Sequence, residues 1–134
     1  MAENASVLWF DDVRRTNVAD VGGKNASLGE LTGTLGEAGI KVPPGFATTS
    51  WAYWAFIDAN GLRDTIAALL ADLAAHKLTL AEAGAAIRRA ILHGEWPPAI
   101  AEAICAAYRQ LGERVGETSP GVAVRSSATA EDLP

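Results

Sequence analysis

Two short stretches combine a cationic side chain with neighbours small enough to let an anion approach the backbone. Near the start, Val21-Gly22-Gly23-Lys24-Asn25-Ala26-Ser27-Leu28 runs a glycine pair into a helical pattern. A helix N-terminus presents free backbone N–H groups and a partial positive charge, both favourable to an anion. Gly22 and Gly23 carry no Cβ that would hold a phosphate off, and Lys24 adds a full charge. At the other end, the apolar run Val122-Ala123-Val124 delivers Arg125 into the small, hydroxylated stretch Ser126-Ser127-Ala128-Thr129-Ala130. A guanidinium offers forked donors that match phosphate oxygens. A strand end is also where ligands often bind in α/β proteins. Together the stretches predict a phosphate site built on Lys24, Arg125, Gly22, Gly23 and Ser126.

Each stretch has a plainer reading. The Gly-Gly-Lys block lacks the longer glycine spacing of a Walker A loop, and alone it also fits a turn with a solvated lysine. Arg125 fits a structural ion pair with Glu131 or Asp132 equally well. Ser126 and Ser127 have no base nearby in sequence, so no catalytic residue is assigned. His76 and His93 fall at helix ends, where a cationic side chain complements the dipole. Neither belongs to a metal-ligand spacing, so no metal site is expected. Cys105 adjoins the apolar face of the last helix and reads as a small core residue. The cluster Trp51, Tyr53, Trp54 and Phe56 reads as core or subdomain packing rather than a ligand-stacking box.

The elements that must position these residues are mostly helices. Val7-Leu8-Trp9-Phe10 predicts a first strand, closed by Asp11 and Asp12. Leu28, Leu31, Leu35 and Ala38 recur at helical spacing, with Gly39 as the stop. Lys41-Val42-Pro43-Pro44-Gly45 is a rigid turn before a short strand, Phe46-Ala47-Thr48-Thr49. Thr49 or Ser50 caps a helix from Trp51 to about Asn60, ended by Gly61. Three further helices follow: Leu62, Ile66, Leu69, Leu70 and Leu73 form one stripe. Thr79-Leu80-Ala81-Glu82 is a capping box, and Pro97-Pro98 opens the last helix. Gly116 to Gly121 is a break before a final strand. The resulting class is α+β, mostly helical with a few short strands.

The 134 residues fit one domain, and 49% apolar with 20% charged residues is ordinary for a globular chain. A net charge of −5 argues against a broad nucleic-acid or membrane-binding face. A single cysteine, Cys105, excludes an internal disulfide framework and fits a reducing compartment. No segment is long and apolar enough to span a bilayer, and the N-terminal residues lack a signal-peptide pattern. The chain reads as cytoplasmic.

Three blocks then occur in order: Val21-Gly22-Gly23-Lys24-Asn25-Ala26-Ser27-Leu28-Gly29-Glu30-Leu31, Val42-Pro43-Pro44-Gly45-Phe46-Ala47-Thr48-Thr49, and Val124-Arg125-Ser126-Ser127-Ala128-Thr129-Ala130-Glu131-Asp132-Leu133-Pro134. They closely resemble the N-terminal nucleotide-binding region of the phosphoenolpyruvate synthase (pyruvate, water dikinase) family. The wider family includes pyruvate phosphate dikinase and rifampicin phosphotransferase. The resemblance implies the first lobe of an ATP-grasp-type domain, in which the lysine and arginine of the matching blocks bind ATP phosphates. Those residues are Lys24 and Arg125 here.

It also implies transfer of a phosphoryl group from ATP to a histidine on another domain and thence to pyruvate. Water is consumed, and AMP, phosphoenolpyruvate and phosphate are the products. The phosphohistidine domain, the acidic Mg²⁺ ligands and the pyruvate-binding barrel have no counterpart in these residues. Residues 1–134 are therefore expected to be the N-terminal portion of one ATP-binding domain, truncated before the rest and inactive in isolation. Its partners would be ATP and the remainder of the enzyme or its missing lobe. The alternatives are a non-catalytic interaction module, or the same family with an acceptor such as rifampicin or a glucan.

Overall fold

Strands are the minor part of the fold, and a proline-rich turn sets where they meet. The computed structural model describes residues 4–130. Strand β1 (Val7–Trp9) runs antiparallel to β2 (Phe46–Thr48), pairing Val7 with Thr48, Leu8 with Ala47 and Trp9 with Phe46. Backbone bonds extend the ladder at both ends: Phe10 N donates to the Gly45 carbonyl at 3.0 Å and Thr49 N to that of Ser6 at 3.1 Å. A side chain on Gly45 would strike the Phe10 ring, so the turn delivers a bare backbone there. Two single-turn helices, Phe10–Asp12 and Arg15–Asn17, lead from β1 into α1 (Val18–Glu37). Gly39, with φ 78°, ends that helix as the sequence predicts.

The chain divides into two compact units. One joins the described residues up to Ala52 with those from Pro98 onward, and the other is Tyr53–Pro97. In the first unit Val13, Val21, Ala26 and Ala47 form the core, with Leu8 and Phe10 packed on it. Gly29 lets α1 lie on the turn before it, because a Cβ there would be 2.6 Å from the Val13 side chain. Helix α5 (Pro98–Val115) buries Ile100, Ala107 and Leu111. Its Arg114 guanidinium sits 3.7 Å from the Trp9 ring centroid and donates to the Asp11 carboxylate at 2.8 Å.

Helix α2 (Ser50–Ala59) starts in the first unit, where Ala52 N donates to the Thr49 hydroxyl at 3.2 Å. It carries the chain into the second unit, with α3 (Leu62–Ala74) and α4 (Leu80–Leu92). There Phe56, Ile57 and Leu62 form the core, backed by Ile66, Ala90 and Ile91. The capping box forms as predicted: Glu82 N donates to the Thr79 hydroxyl at 3.2 Å, and Thr79 N to the Glu82 carboxylate at 2.8 Å. Both histidines terminate helices: His76 has φ 56° just beyond α3, and His93 Nδ1 donates to the Arg89 carbonyl at 2.8 Å. The composition is α+β and mostly helical, in line with the sequence.

Three expectations are corrected. Val122–Val124 forms no strand among the described residues, because β1 and β2 pair with each other and nothing there pairs with it. Val124 is accordingly 92% exposed. Cys105 is exposed: five residues beyond buried Ile100, it lies about 140° around the helix from that side chain. Of the aromatic cluster only Phe56 enters the core. Trp51 stays exposed, as do Tyr53 and Trp54, which pack edge-to-face on each other with Arg63 stacked over Trp54. Among the described residues, no helix is long and apolar enough to cross a membrane.

Candidate functional site

The candidate site is shaped by one glycine. Gly22 interrupts α1 with φ 78° and ψ 168°, a backbone region that is essentially glycine-only. The regular helix therefore begins at Gly23, with Gly22 as its cap. Its first N–H groups meet the C-terminal stretch of the chain. Gly23 N donates to the Ala128 carbonyl at 3.1 Å, and Asn25 N to the Ser127 hydroxyl at 3.3 Å. The Ser127 hydroxyl in turn donates to the Val21 carbonyl at 2.9 Å, which also accepts from Asn25 Nδ2 at 3.0 Å. The crossing is so close that a Cβ on Gly22 would be 2.8 Å from Ala128 N and nearer still to Ser127 Oγ.

This crossing brings Lys24 and Arg125 to one cavity from opposite ends of the chain. The cavity, about 240 Å³, is lined by Gly23, Lys24, Asn25, Ser27, Leu28, Leu31 and Arg125. The lining thus combines the cations Lys24 and Arg125 and the polar Asn25 and Ser27 with the apolar Leu28 and Leu31. Such a lining can bind an anion through Lys24 and Arg125 while Arg125 supplies paired, directional donors.

The structure distributes the sequence-predicted residues unevenly. Gly23, Lys24 and Arg125 share the cavity. Gly22 is buried beneath Ser127 and Ala128, so its missing side chain makes room for the chain's own backbone. Ser126 is exposed and does not line the cavity; the hydroxyl that engages the helix is that of Ser127. Asn25, Ser27 and Ser127 were not singled out from sequence. The serine pair after Arg125 was the available signal, but local pattern does not tell which hydroxyl turns inward. The alternative ion partners of Arg125, Glu131 and Asp132, lie outside the described residues.

A second anchor holds the same stretch upstream. The Tyr108 hydroxyl donates to the Pro120 carbonyl at 2.8 Å, and Glu117 N donates to the Gly112 carbonyl at 2.9 Å. Thr79, mainly through its backbone N–H, holds the Glu82 carboxyl below its ordinary range, and hydrogen bonding from Arg63 does the same for Asp58.

With this geometry in place, comparison with known proteins defines the class. The family model "Pyruvate phosphate dikinase, AMP/ATP-binding domain" matches residues 18–134. The chain belongs to that family. Among curated relatives, the phosphoenolpyruvate synthase of Neisseria meningitidis serogroup B is 49% identical over 135 residues, covering 100% of this chain and 17% of the relative. That of Synechocystis is 46% identical over 98% of this chain and 17% of its own length. That of Escherichia coli K12 is 44% identical over 100% of this chain and likewise 17% of its own length. The chain thus spans about a sixth of the curated relatives it matches.

Proposed function

We propose that this chain supplies part of the ATP phosphate site of a phosphoenolpyruvate synthase-like dikinase, as the N-terminal portion of one ATP-grasp-type domain. The carrying observation is that Lys24 and Arg125 line one cavity in a chain of the AMP/ATP-binding family. The reaction is conversion of ATP, pyruvate and water to AMP, phosphoenolpyruvate and phosphate, through a phosphohistidine on a domain outside these residues. Phosphoryl transfer depends chiefly on positioning and charge neutralisation. Lys24 supplies a compact point charge, and Arg125 a planar fork that fixes the orientation of phosphate oxygens. Gly23 lines the cavity without a side chain, Gly22 lets the Arg125 stretch cross, and Ser126 follows that arginine, exposed.

The cavity lining contains no carboxylate, and the described residues hold no cluster of three or more metal-ligating side chains. That lining does not fit a magnesium site, and on this reading the Mg²⁺ ligands belong to the remainder of the enzyme. On this reading residues 1–134 alone are catalytically inactive and work in the cytoplasm with the remainder of the enzyme. The exposed Trp51, Leu80, Leu92 and Trp96 support packing against further protein.

The test is a chimera in which this chain replaces the aligned segment of the Neisseria meningitidis relative. It is expected to form phosphoenolpyruvate from ATP and pyruvate, and to lose that activity when Lys24→Ala or Arg125→Ala is introduced. A folded chimera whose activity survives both substitutions would contradict the assignment.

A further inference from the structure

We infer that Ser127 is a positioning residue: acting from the far end of the chain, it caps the helix that carries Lys24 and so holds Arg125 against the same cavity. The inference rests on the phosphate-site reading above and adds a residue to it.

A serine usually caps the helix that follows it in sequence. Ser127 instead bonds to Val21 and Asn25, at the other end of the chain, with its hydroxyl used in both directions. It donates to the Val21 carbonyl at 2.9 Å and accepts from Asn25 N at 3.3 Å. It therefore bridges both sides of the Gly22 kink. The neighbouring Ala128 carbonyl takes the Gly23 N–H at 3.1 Å. Those amides are among the donors that a helix N-terminus would otherwise offer to an anion. With the Gly23 and Asn25 amides occupied by the chain itself, the charge at the cavity is that of Lys24 and Arg125.

The geometry also shows why the latch matters for Arg125. Upstream, the stretch is fixed at Pro120 by Tyr108. With that anchor alone, the five residues to Arg125 could carry it about 17 Å in extended chain. Ser127 places a second fixed point two residues away, which cuts the reach to about 7 Å. Val122 and Val124 are exposed, so apolar packing does not restrain the intervening residues. Ser126 is also exposed. The Ala128–Gly23 bond, three residues from Arg125, alone would leave a reach of about 10 Å, and the Ser127 hydroxyl tightens that placement.

The experiment uses the folded chain with inorganic tripolyphosphate as the probe. Affinity and amide hydrogen exchange are measured in wild type, Ser127→Ala, Ser127→Thr, Arg125→Ala and the Ser127→Ala/Arg125→Ala double variant. Ser127→Ala removes both bonds; loss of the one at Asn25 N is expected to speed exchange there roughly fivefold, and binding should weaken by at least a similar factor. Threonine, which keeps the hydroxyl, restores both. Because Ser127 acts through Arg125, adding Ser127→Ala to Arg125→Ala should change affinity less than about twofold. Additive losses, or unchanged Asn25 exchange in Ser127→Ala, overturn the inference. If wild type binds no tripolyphosphate, the phosphate-site reading fails on its own. The exchange arm then decides the latch: faster exchange at Gly23 and Asn25 upholds it, and unchanged exchange overturns it.

Discussion

Replacing Gly22 with alanine tests the physical core of the site. The backbone there has φ 78° and ψ 168°, where a non-glycine residue costs about 1–3 kcal/mol. The new Cβ would also lie 2.8 Å from Ala128 N, and backbone cannot swing aside as a flexible side chain can. The chain's escape is to lift the Ser127–Ala128 crossing, which gives up the bonds Gly23–Ala128, Asn25–Ser127 and Ser127–Val21. At about 1 kcal/mol each, with part of the strain relieved, the total comes to roughly 3–5 kcal/mol. Gly61→Ala is the control. It has φ 62° and ψ 25°, but a Cβ there meets nothing within 4 Å, so only the left-handed cost of about 1–2 kcal/mol applies. Urea unfolding gives the two stabilities, and amide exchange at Gly23 and Asn25 localises the damage. Gly22→Ala should be the more destabilised and should lose protection at both amides, whereas Gly61→Ala keeps it. Equal destabilisation, or retained protection at Asn25 in Gly22→Ala, would refute the reasoning.

Gly29→Ala should lower stability by about 1–3 kcal/mol in a thermal melt, since its Cβ would meet the buried Val13 side chain at 2.6 Å. Thr79→Ala removes a capping box and should cost about 1 kcal/mol, measured by urea unfolding at neutral pH. The same cap has a pH signature. The Glu82 carboxyl is held below its ordinary range in the folded state, so its contribution is present above the unfolded-state value and is lost as pH falls through the folded one. Glu82→Gln should therefore flatten part of the acid limb of a stability–pH curve, and an unaltered limb would contradict this. Arg114→Lys should destabilise by about 0.5–1 kcal/mol despite keeping the charge, because a planar group over Trp9 is lost; recovery of full stability by lysine would count against the stacking account.

The helices were legible because local chemistry writes their ends. Thr79 and Glu82 bond within one turn, Pro98 opens α5, and Gly39 and Gly116 take positive φ just past helix ends. The short strands were legible from the runs Val7–Trp9 and Phe46–Thr48, though pairing was not. Val122–Val124 shows the limit: apolar composition marks strand potential, but a strand exists only with a hydrogen-bonded neighbour. At the site, residue type pointed to Lys24 and Arg125, and the fold brings both to one cavity. The role of Gly22 was not legible. A bare glycine beside a lysine reads as room for phosphate, whereas the space is filled by Ser127 and Ala128. That contact joins the two ends of the chain, and no local pattern encodes such a distance. Ser127 was missed for the same reason.

The most direct test of the central claim is an NMR titration of ATP into the folded chain beside a Lys24→Ala/Arg125→Ala variant. The account predicts amide shifts clustered at Gly22–Ala26 and Val124–Ala128 in wild type, and their loss in the variant. Shifts located elsewhere, or an unchanged pattern in the variant, would contradict a phosphate site built on these two cations.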